Sequence, residues 1–279
     1  MSVVLITGCS SGFGKLAALE FARRGDTVFA SMRDTKKSVA LVEEAKTAGV
    51  SLEVVALDVN DRKSVEAAVS DVVRRTGRVD VLVNNAGVST SGPIEHFDDA
   101  EIQHVFDTNV FGLIRVTRAV LPTMRAQGGG TVINVSSIAG KVSGPYGGIY
   151  SGSKHAVEGI SDALYFELHP FGIRVVIVEP GGFETEIFNT SQPARGFNEG
   201  SPYVELEQRF SAATAKLPGG GQRGDAQVVA NVIVDAAKSD QPKRRYLVGQ
   251  DAELIGGIHK QMSDEDFEKA MRTTLDVWD

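Results

Sequence analysis

Four consecutive apolar residues, Val3-Val-Leu-Ile6, run straight into Thr7-Gly-Cys-Ser-Ser-Gly-Phe-Gly14, and no other stretch restricts the fold as much. A short unbroken apolar run suits a strand buried on both faces, as in a parallel sheet. Beyond the loop, Leu16, Leu19, Phe21 and Ala22 fall at helical spacing, and Gly25 closes the helix. A strand, a loop carrying Gly8, Gly12 and Gly14, and a helix start together bring backbone N–H groups and the positive end of a helix up to a pyrophosphate. The spacing is Gly-x-x-x-Gly-x-Gly rather than Gly-x-Gly-x-x-Gly. The junction predicts a dinucleotide cradle formed by Gly8, Ser10, Ser11, Gly12, Phe13 and Gly14. Cys9 has no His or carboxylate placed to activate it and reads as structural.

Strand and helix patterns then alternate. Strands are expected at 27–31, 52–57, 79–83, 131–135, 173–178 and 246–248, with helices at 39–48, 64–76, 99–127 and from about 148 to 169. This alternation predicts an α/β fold, a doubly wound sheet of seven parallel strands covered by helices on both faces. Polar and glycine motifs follow the strands: Asp58-Val59, Asn84-Asn-Ala-Gly87, Ser136-Ser137 and Pro180-Gly181. The C-terminal strand ends are where open α/β sheets bind ligands. No linker divides the 279 residues, so residues 1–279 read as one dinucleotide-binding catalytic domain. Two stretches leave the alternation. Residues 183–221 are irregular, with a helical piece near 205–215 and a closing Pro218-Gly-Gly-Gly221, and read as a lid over the site. Residues 250–279 carry two short helical patterns and read as a C-terminal extension.

Composition removes several classes of function. Net charge is −7 with no basic run, which argues against nucleic acid. One cysteine cannot form an internal disulfide and fits a reducing cytosol. No apolar stretch approaches the ~20 residues of a membrane helix and no leader pattern opens the chain, so a soluble, cytoplasmic protein is expected. His96, His104, His155, His169 and His259 are scattered without metal-ligand spacing, and no metal is expected.

Tyr150-Ser-Gly-Ser-Lys154 places a phenol and an ammonium one helical turn apart. A fixed positive charge favours the phenolate and lowers the phenol pKa, which would make an acid–base group. The same spacing also fits a surface Tyr and a solvated Lys. Arg33 follows the second strand, where an acid would bind the adenosine ribose and an Arg accommodates a 2′-phosphate. Ser31 and Arg33 therefore point to NADP(H). Asp34 next door is the alternative ribose ligand, which keeps NAD(H) possible. Asp58, with Val59, can face the adenine, or Asp58 can cap the next helix.

Taken in order, Thr7-Gly-Cys-Ser-Ser-Gly-Phe-Gly14, Asn84-Asn-Ala-Gly87, Asn109, Ser137, Tyr150-x-x-x-Lys154 and Pro180-Gly181 resemble the short-chain dehydrogenase/reductase family, of single-domain type, over about residues 3–185. Ser31-Met-Arg-Asp34 and Glu179-Pro-Gly-Gly-Phe-Glu-Thr185 are similar to its hydroxysteroid and retinol dehydrogenase-like branch. The resemblance implies a Rossmann-type fold and an NADP(H)-dependent interconversion of carbonyl and alcohol. It implies Tyr150 as general acid and base, Lys154 as the residue that lowers the Tyr150 pKa and holds the nicotinamide ribose, and Ser137, preferred over Ser136, on the substrate carbonyl. Asn109 would hold a relay water. Asn85, Ala86 and Gly87 would line the adenosine and ribose path, and Pro180, Gly181, Phe183 and Thr185 the nicotinamide, with Thr185 on the carboxamide. Phe13 replaces the Ile more usual in the loop.

Ile138, Tyr146, Phe183, Ile187 and Phe188, with Phe197, Tyr203 and Phe210 from the lid, are expected around a hydrophobic ketone or secondary alcohol. Two rivals remain. A 3-oxoacyl-thioester reductase would tend to carry a basic residue at Ser11. A silent NADP(H)-binding regulator would not need Tyr150, Lys154 and Ser137. The resemblance also implies a homodimer or homotetramer built through the long helix and the Tyr150 helix.

Overall fold

The computed structural model describes residues 1–216 and 223–278, except for the side chains of Phe188 and Asn189. Pro218-Gly-Gly-Gly221 lies outside the described residues. Seven strands make one sheet in the order β3-β2-β1-β4-β6-β7-β9. They are β1 (Val3–Ile6), β2 (Thr27–Met32), β3 (Glu53–Ala56), β4 (Val81–Asn84), β6 (Gly130–Val135), β7 (Ile173–Pro180) and β9 (Arg245–Val248). Every neighbouring pair is parallel, so all C-terminal ends emerge on one edge. The strand order reverses at β1 and β4, and the crevice at that reversal is the expected ligand site.

The sheet is buried on both faces because successive side chains point to opposite sides. Val4 and Ile6 join one core with α1 (Gly12–Arg23), α2 (Val39–Thr47) and α9 (Ala226–Lys238). Val3 and Leu5 join the other, under α3 (Arg62–Thr76), α5 (Leu113–Ala126) and the end of α6 (Gly148–Leu168). The apolar run that opens the chain is thus the mid-plane of a three-layer, Rossmann-type single domain.

Two elements differ from expectation. The stretch expected as one helix over 99–127 is α4 (Asp99–Phe106), a π-helical segment (Asp107–Gly112) and α5. The wide turn is pressed onto β3's exit loop: a Cβ on Gly112 would lie 2.8 Å from Val59 Cγ2. Sequence reading also passed over α9, although Val229, Ala230, Ile233, Val234 and Ala237 face the core at helical spacing and Asp225 caps its start by accepting from Gln227 N at 2.9 Å.

Between β7 and α9 the chain makes a long excursion whose ends are tied together. Phe183 pairs with Gly224. Glu184 N donates to Gly224 O and Gly224 N to Gly182 O, both at 3.0 Å. The excursion holds α7 (Glu186–Asn189), β8 (Gln192–Pro193), which pairs in parallel with β5 (Thr90–Ser91), and α8 (Val204–Thr214). After β9 come α10 (Gln250–Gln261) and α11 (Asp264–Leu275).

Candidate functional site

A cleft of about 570 Å³ opens over the C-terminal edge of the sheet. Its floor is the glycine loop. Gly8 has φ +73, and a Cβ there would sit 2.8 Å from Ala86 Cα; only glycine admits both the turn and the approach. The β4 exit is strapped to the loop. Thr7 Oγ1 accepts from Asn85 N and Ala86 N, both at 3.0 Å, and Asn85 Nδ2 donates to Thr7 O at 2.9 Å and Gly8 O at 3.1 Å. Ser11, the N-cap of α1, makes no side-chain capping bond, and the first turn has no acid. The orphan N–H groups of that helix end are therefore open to an anion. Next to Gly12, where a Cβ would lie 3.6 Å from the Thr185 side chain, Thr185 Oγ1 is buried without a partner and lines the same cavity. A cradle with free amide donors and a stranded hydroxyl fits a dinucleotide. Gly14 is placed below the cleft, against Gly8 O and the Asn85 amide, so it shapes the loop from beneath.

At the adenosine end, Arg33 and Lys37 line the cleft with Asp58 and Asn60. Asp34 turns away: its carboxylate accepts from Lys36 N at 3.0 Å and caps a short 3₁₀ turn, Thr35–Ser38. Asp58 accepts from Asn60 N at 2.9 Å. Ser31 corrects the sequence expectation. It is fully buried and its hydroxyl donates to Ile6 O at 2.9 Å. The side-chain alternation of β2 sends Ser31 into the core and Met32 to the cleft. Lys37 was missed, and its place one turn beyond Arg33 is the signal that points to it. Cys9 behaves as expected. It is buried, its Sγ donates to Ile6 O at 3.3 Å, and desolvation pushes its pKa up to about 12.

At the other end stand Ser136, Ser137, Tyr150 and Lys154. Ser137, at the end of β6's exit, donates to Pro180 O at 3.4 Å and accepts from Ala139 N at 3.1 Å. It also stands near enough to the Tyr150 phenol to favour its ionised form. Lys154 Nζ donates to Val135 O at 3.0 Å and lies 5.7 Å from the Tyr150 ring centroid. The expected lowering of the Tyr150 pKa by Lys154 is not what the chain produces. Burial dominates and pushes the phenol up to about 12, with only Ser137 opposing it. Burial likewise pushes Lys154 down to about 8, against the charge of Glu158.

Asn109 sits in the π-helical segment, 2% exposed, and does not line the cleft. Its Nδ2 donates to Val88 O and Ser153 Oγ, both at 2.9 Å, and its Oδ1 accepts from Val88 N at 2.8 Å. The side chain is occupied with holding the β4 exit against α6. Its Oδ1 nevertheless lies beside Gly87, where a Cβ would come within 3.3 Å of it and 3.8 Å of Lys154 Nζ.

The apolar side is rearranged relative to expectation. Ile187 lines the cleft, and the Phe188 side chain lies outside the described residues. Phe183 is 2% exposed and belongs to the core, edge-on to Phe13 at 5.8 Å; the Gly182–Gly224 pairing pulls it under the loop, so it does not line the cleft. Ile138 does not line it either and packs towards Gly256 of α10. Tyr146, at φ +63, stands in a separate aromatic group with Phe197 (6.3 Å) and Phe210 (6.0 Å), its hydroxyl donating to Tyr203 O at 3.4 Å. One further positioning contact was not anticipated. Asp251, in the first turn of α10, accepts from Gly182 N at 2.7 Å. Among the described residues no His, Cys, Asp and Glu group is arranged to hold a metal ion.

Comparison with known proteins agrees with this geometry. A family model described as short chain dehydrogenase matches residues 2–196. The chain is 39% identical over 261 residues to an uncharacterized oxidoreductase, YusZ, of Bacillus subtilis (strain 168), covering 90% of each. It is 39% identical over 264 residues to retinol dehydrogenase 16 of Rattus norvegicus, covering 90% of this chain and 82% of that one. The fold matches a short-chain dehydrogenase structure from Streptomyces avermitilis with a TM-score of 0.78 and 36% identity, over 98% of both chains. Two more structures are each 27% identical. A metagenomic short-chain oxidoreductase holds NADP (TM-score 0.70, 88% of this chain and 96% of that one), and a Burkholderia phymatum short-chain dehydrogenase/reductase holds NAD (0.78, 96% and 95%). The match to the family model spans well over half the residues, and the fold and glycine loop agree with it: the chain belongs to the short-chain dehydrogenase family.

Proposed function

We propose that the protein is an NADP(H)-dependent oxidoreductase that interconverts a hydrophobic ketone or aldehyde with its alcohol. The observation that carries this reading is the Tyr150 phenol beside Ser137 and one turn from Lys154, at the end of a dinucleotide-shaped cleft. Amide donors of residues 8–14 would hold the pyrophosphate, Asp58 the adenine, and Thr185 the carboxamide. Arg33 and Lys37 favour a 2′-phosphate, and Asp34, occupied as a cap, leaves the ribose hydroxyls without an acid on that side. NAD(H) remains the second cofactor the cleft would accept.

When bound, the nicotinamide supplies the hydride in reduction and takes it in oxidation. Ser137 Oγ and Tyr150 Oη converge where a carbonyl oxygen would sit, and both donate to it as negative charge develops. Tyr150 gives its proton to that oxygen in reduction and takes it back in oxidation. The Lys154 ammonium stabilises the phenolate left behind. Ser137, polarised through two backbone contacts, fixes the carbonyl's direction, and Ile187 supplies apolar contact. Residues 183–216 would close over the substrate, with Phe197 and Phe210, grouped around Tyr146, as an aromatic wall. No described helix is long and apolar enough to cross a membrane. Exposed Phe111 and Phe166, on the long-helix region and α6, support pairing of two copies through those helices.

The test is Tyr150→Phe. It removes one oxygen and no packing. Cofactor affinity is expected to hold while NADPH oxidation with hydrophobic ketones falls about 10²- to 10⁴-fold. Undiminished turnover in that variant would overturn the assignment.

A further inference from the structure

Behind the reactive end lies a buried ionic cluster that this mechanism does not use. Glu158 is one turn beyond Lys154 on α6, and Glu179 is the penultimate residue of β7; they are 5% and 2% exposed. Arg245, opening β9, reaches both. Its Nη2 donates to Glu158 Oε2 at 2.9 Å and its Nε to Glu179 Oε1 at 3.1 Å. The same Nη2 meets Asp162 Oδ1 at 2.7 Å, and Arg244 also pairs with Asp162. Two guanidiniums thus face three carboxylates. Lys141, from the turn after Ser137, acts on Glu179 from the other side, and the Tyr150 phenol lies beyond Lys154.

Among the described residues Arg245 is the one cation within ion-pair distance of the buried Glu158 and Glu179, so two buried carboxylates share a single guanidinium. Burying an uncompensated carboxylate is costly, and Glu158 Oε1 is buried with no partner. Gly140 opens the space that makes this possible. A Cβ there would lie 2.8 Å from Ser136 Oγ, itself unpartnered, and 3.0 Å from Glu158 Cγ. The remaining cation on the same helix face is Lys154, four residues before Glu158.

We propose that Glu158 is a positioning residue for Lys154: its surplus carboxylate is the counter-charge that keeps the buried amine an ammonium beside Tyr150. The proposal rests on the reading above, in which Lys154 works as a cation. Two observations fit it. Glu158 is the charge that opposes the desolvation of Lys154. Burial first, and the charge of Glu158 second, push Glu179 up to about 7. A proton taken up by the carboxyl pair therefore weakens the counter-charge at the amine.

The test titrates Lys154 directly, by NMR of the full chain carrying Nζ-labelled lysine, with the resonance assigned by its loss in Lys154→Arg. In Glu158→Gln the Lys154 midpoint is expected about one pH unit or more below the parent. Glu179→Gln changes the same cluster but keeps the Glu158 side chain, so there the midpoint should not fall. Glu158→Asp, the milder change, should show a smaller fall in the same direction, and it serves if Glu158→Gln does not fold. In carbonyl reduction the alkaline limb of kcat should move down with the Lys154 midpoint. A merely structural role would lower kcat at every pH with the limb in place. An unmoved midpoint in the Glu158 variants, or equal falls in the Glu158 and Glu179 variants, overturns the proposal. Failure of the parent to turn over any carbonyl would refute the enzymatic reading and leave the titration result standing.

Discussion

Ser31 and Arg33 are two residues apart and do opposite things, which shows how far a single position can be read from sequence. Both lie where a dinucleotide fold meets the adenosine ribose. Two residues apart they would share a face within one strand; what separates them is that β2 ends at Met32, which keeps Ser31 in the core and puts Arg33 on the exit loop. Arg33→Ala with Lys37→Ala is expected to weaken NADPH binding by about tenfold or more, two charge-assisted contacts being lost, and to leave NADH nearly unchanged. Fluorescence titration with both cofactors measures the ratio. Ser31→Ala, the buried neighbour, should leave that ratio alone. Equal losses for both cofactors in the double variant would remove the 2′-phosphate from the picture. The placement of Tyr150, Lys154 and the loop glycines was legible because helix and loop geometry follow from near neighbours in the chain, and that of Ser137 through the resemblance to a family motif. Asn109, Ile138, Tyr146 and Phe183 were not, because their surroundings come from segments far away in sequence.

Elements were legible where apolar periodicity was strong and the end signals agreed. All seven strands were anticipated within a residue or two, since each is a short apolar run closed by a polar or glycine motif. The π-helical segment was not, because the wide turn at 107–112 follows from packing against Val59 and from no local signal. The C-terminal extension also gains a role at this scale. Asp251 projects from α10 onto the Pro180-Gly181-Gly182 turn and takes the Gly182 N–H, so a helix at the end of the chain fixes the turn that leads to Thr185. Asp251→Ala removes a charge-assisted hydrogen bond worth about 2 kcal/mol. Its expected result is a several-fold rise in the cofactor dissociation constant with the fold retained, read by fluorescence titration beside a melting curve. An unchanged dissociation constant would confine α10 to a packing role.

For the whole molecule, the buried charges give stability a definite pH dependence. Glu179 keeps its proton to about 7 in the native chain, against an ordinary value of 4.5. Between those values the native state binds more protons than the unfolded one, so stability falls as pH rises through that window. Lys154 acts on the alkaline side. The native chain releases its proton near 8, against 10.5 when free, so from this group stability rises with pH between 8 and 10.5. Melting temperatures across pH 4 to 10 should therefore carry a shallow minimum near pH 7 to 8, and Glu179→Gln should flatten the acid side; an identical acid slope in the variant would contradict the buried carboxyl. The excursion after β7 has a different consequence at this scale. Its two ends meet at the Phe183–Gly224 pairing, which leaves the sheet, the glycine loop and Tyr150 outside the span. The span is thus closed at its base by one strap. A change of length beyond Thr190 is expected to leave the strands on either side in register, whereas a change at Thr185 or Ile187 would reach the cleft itself.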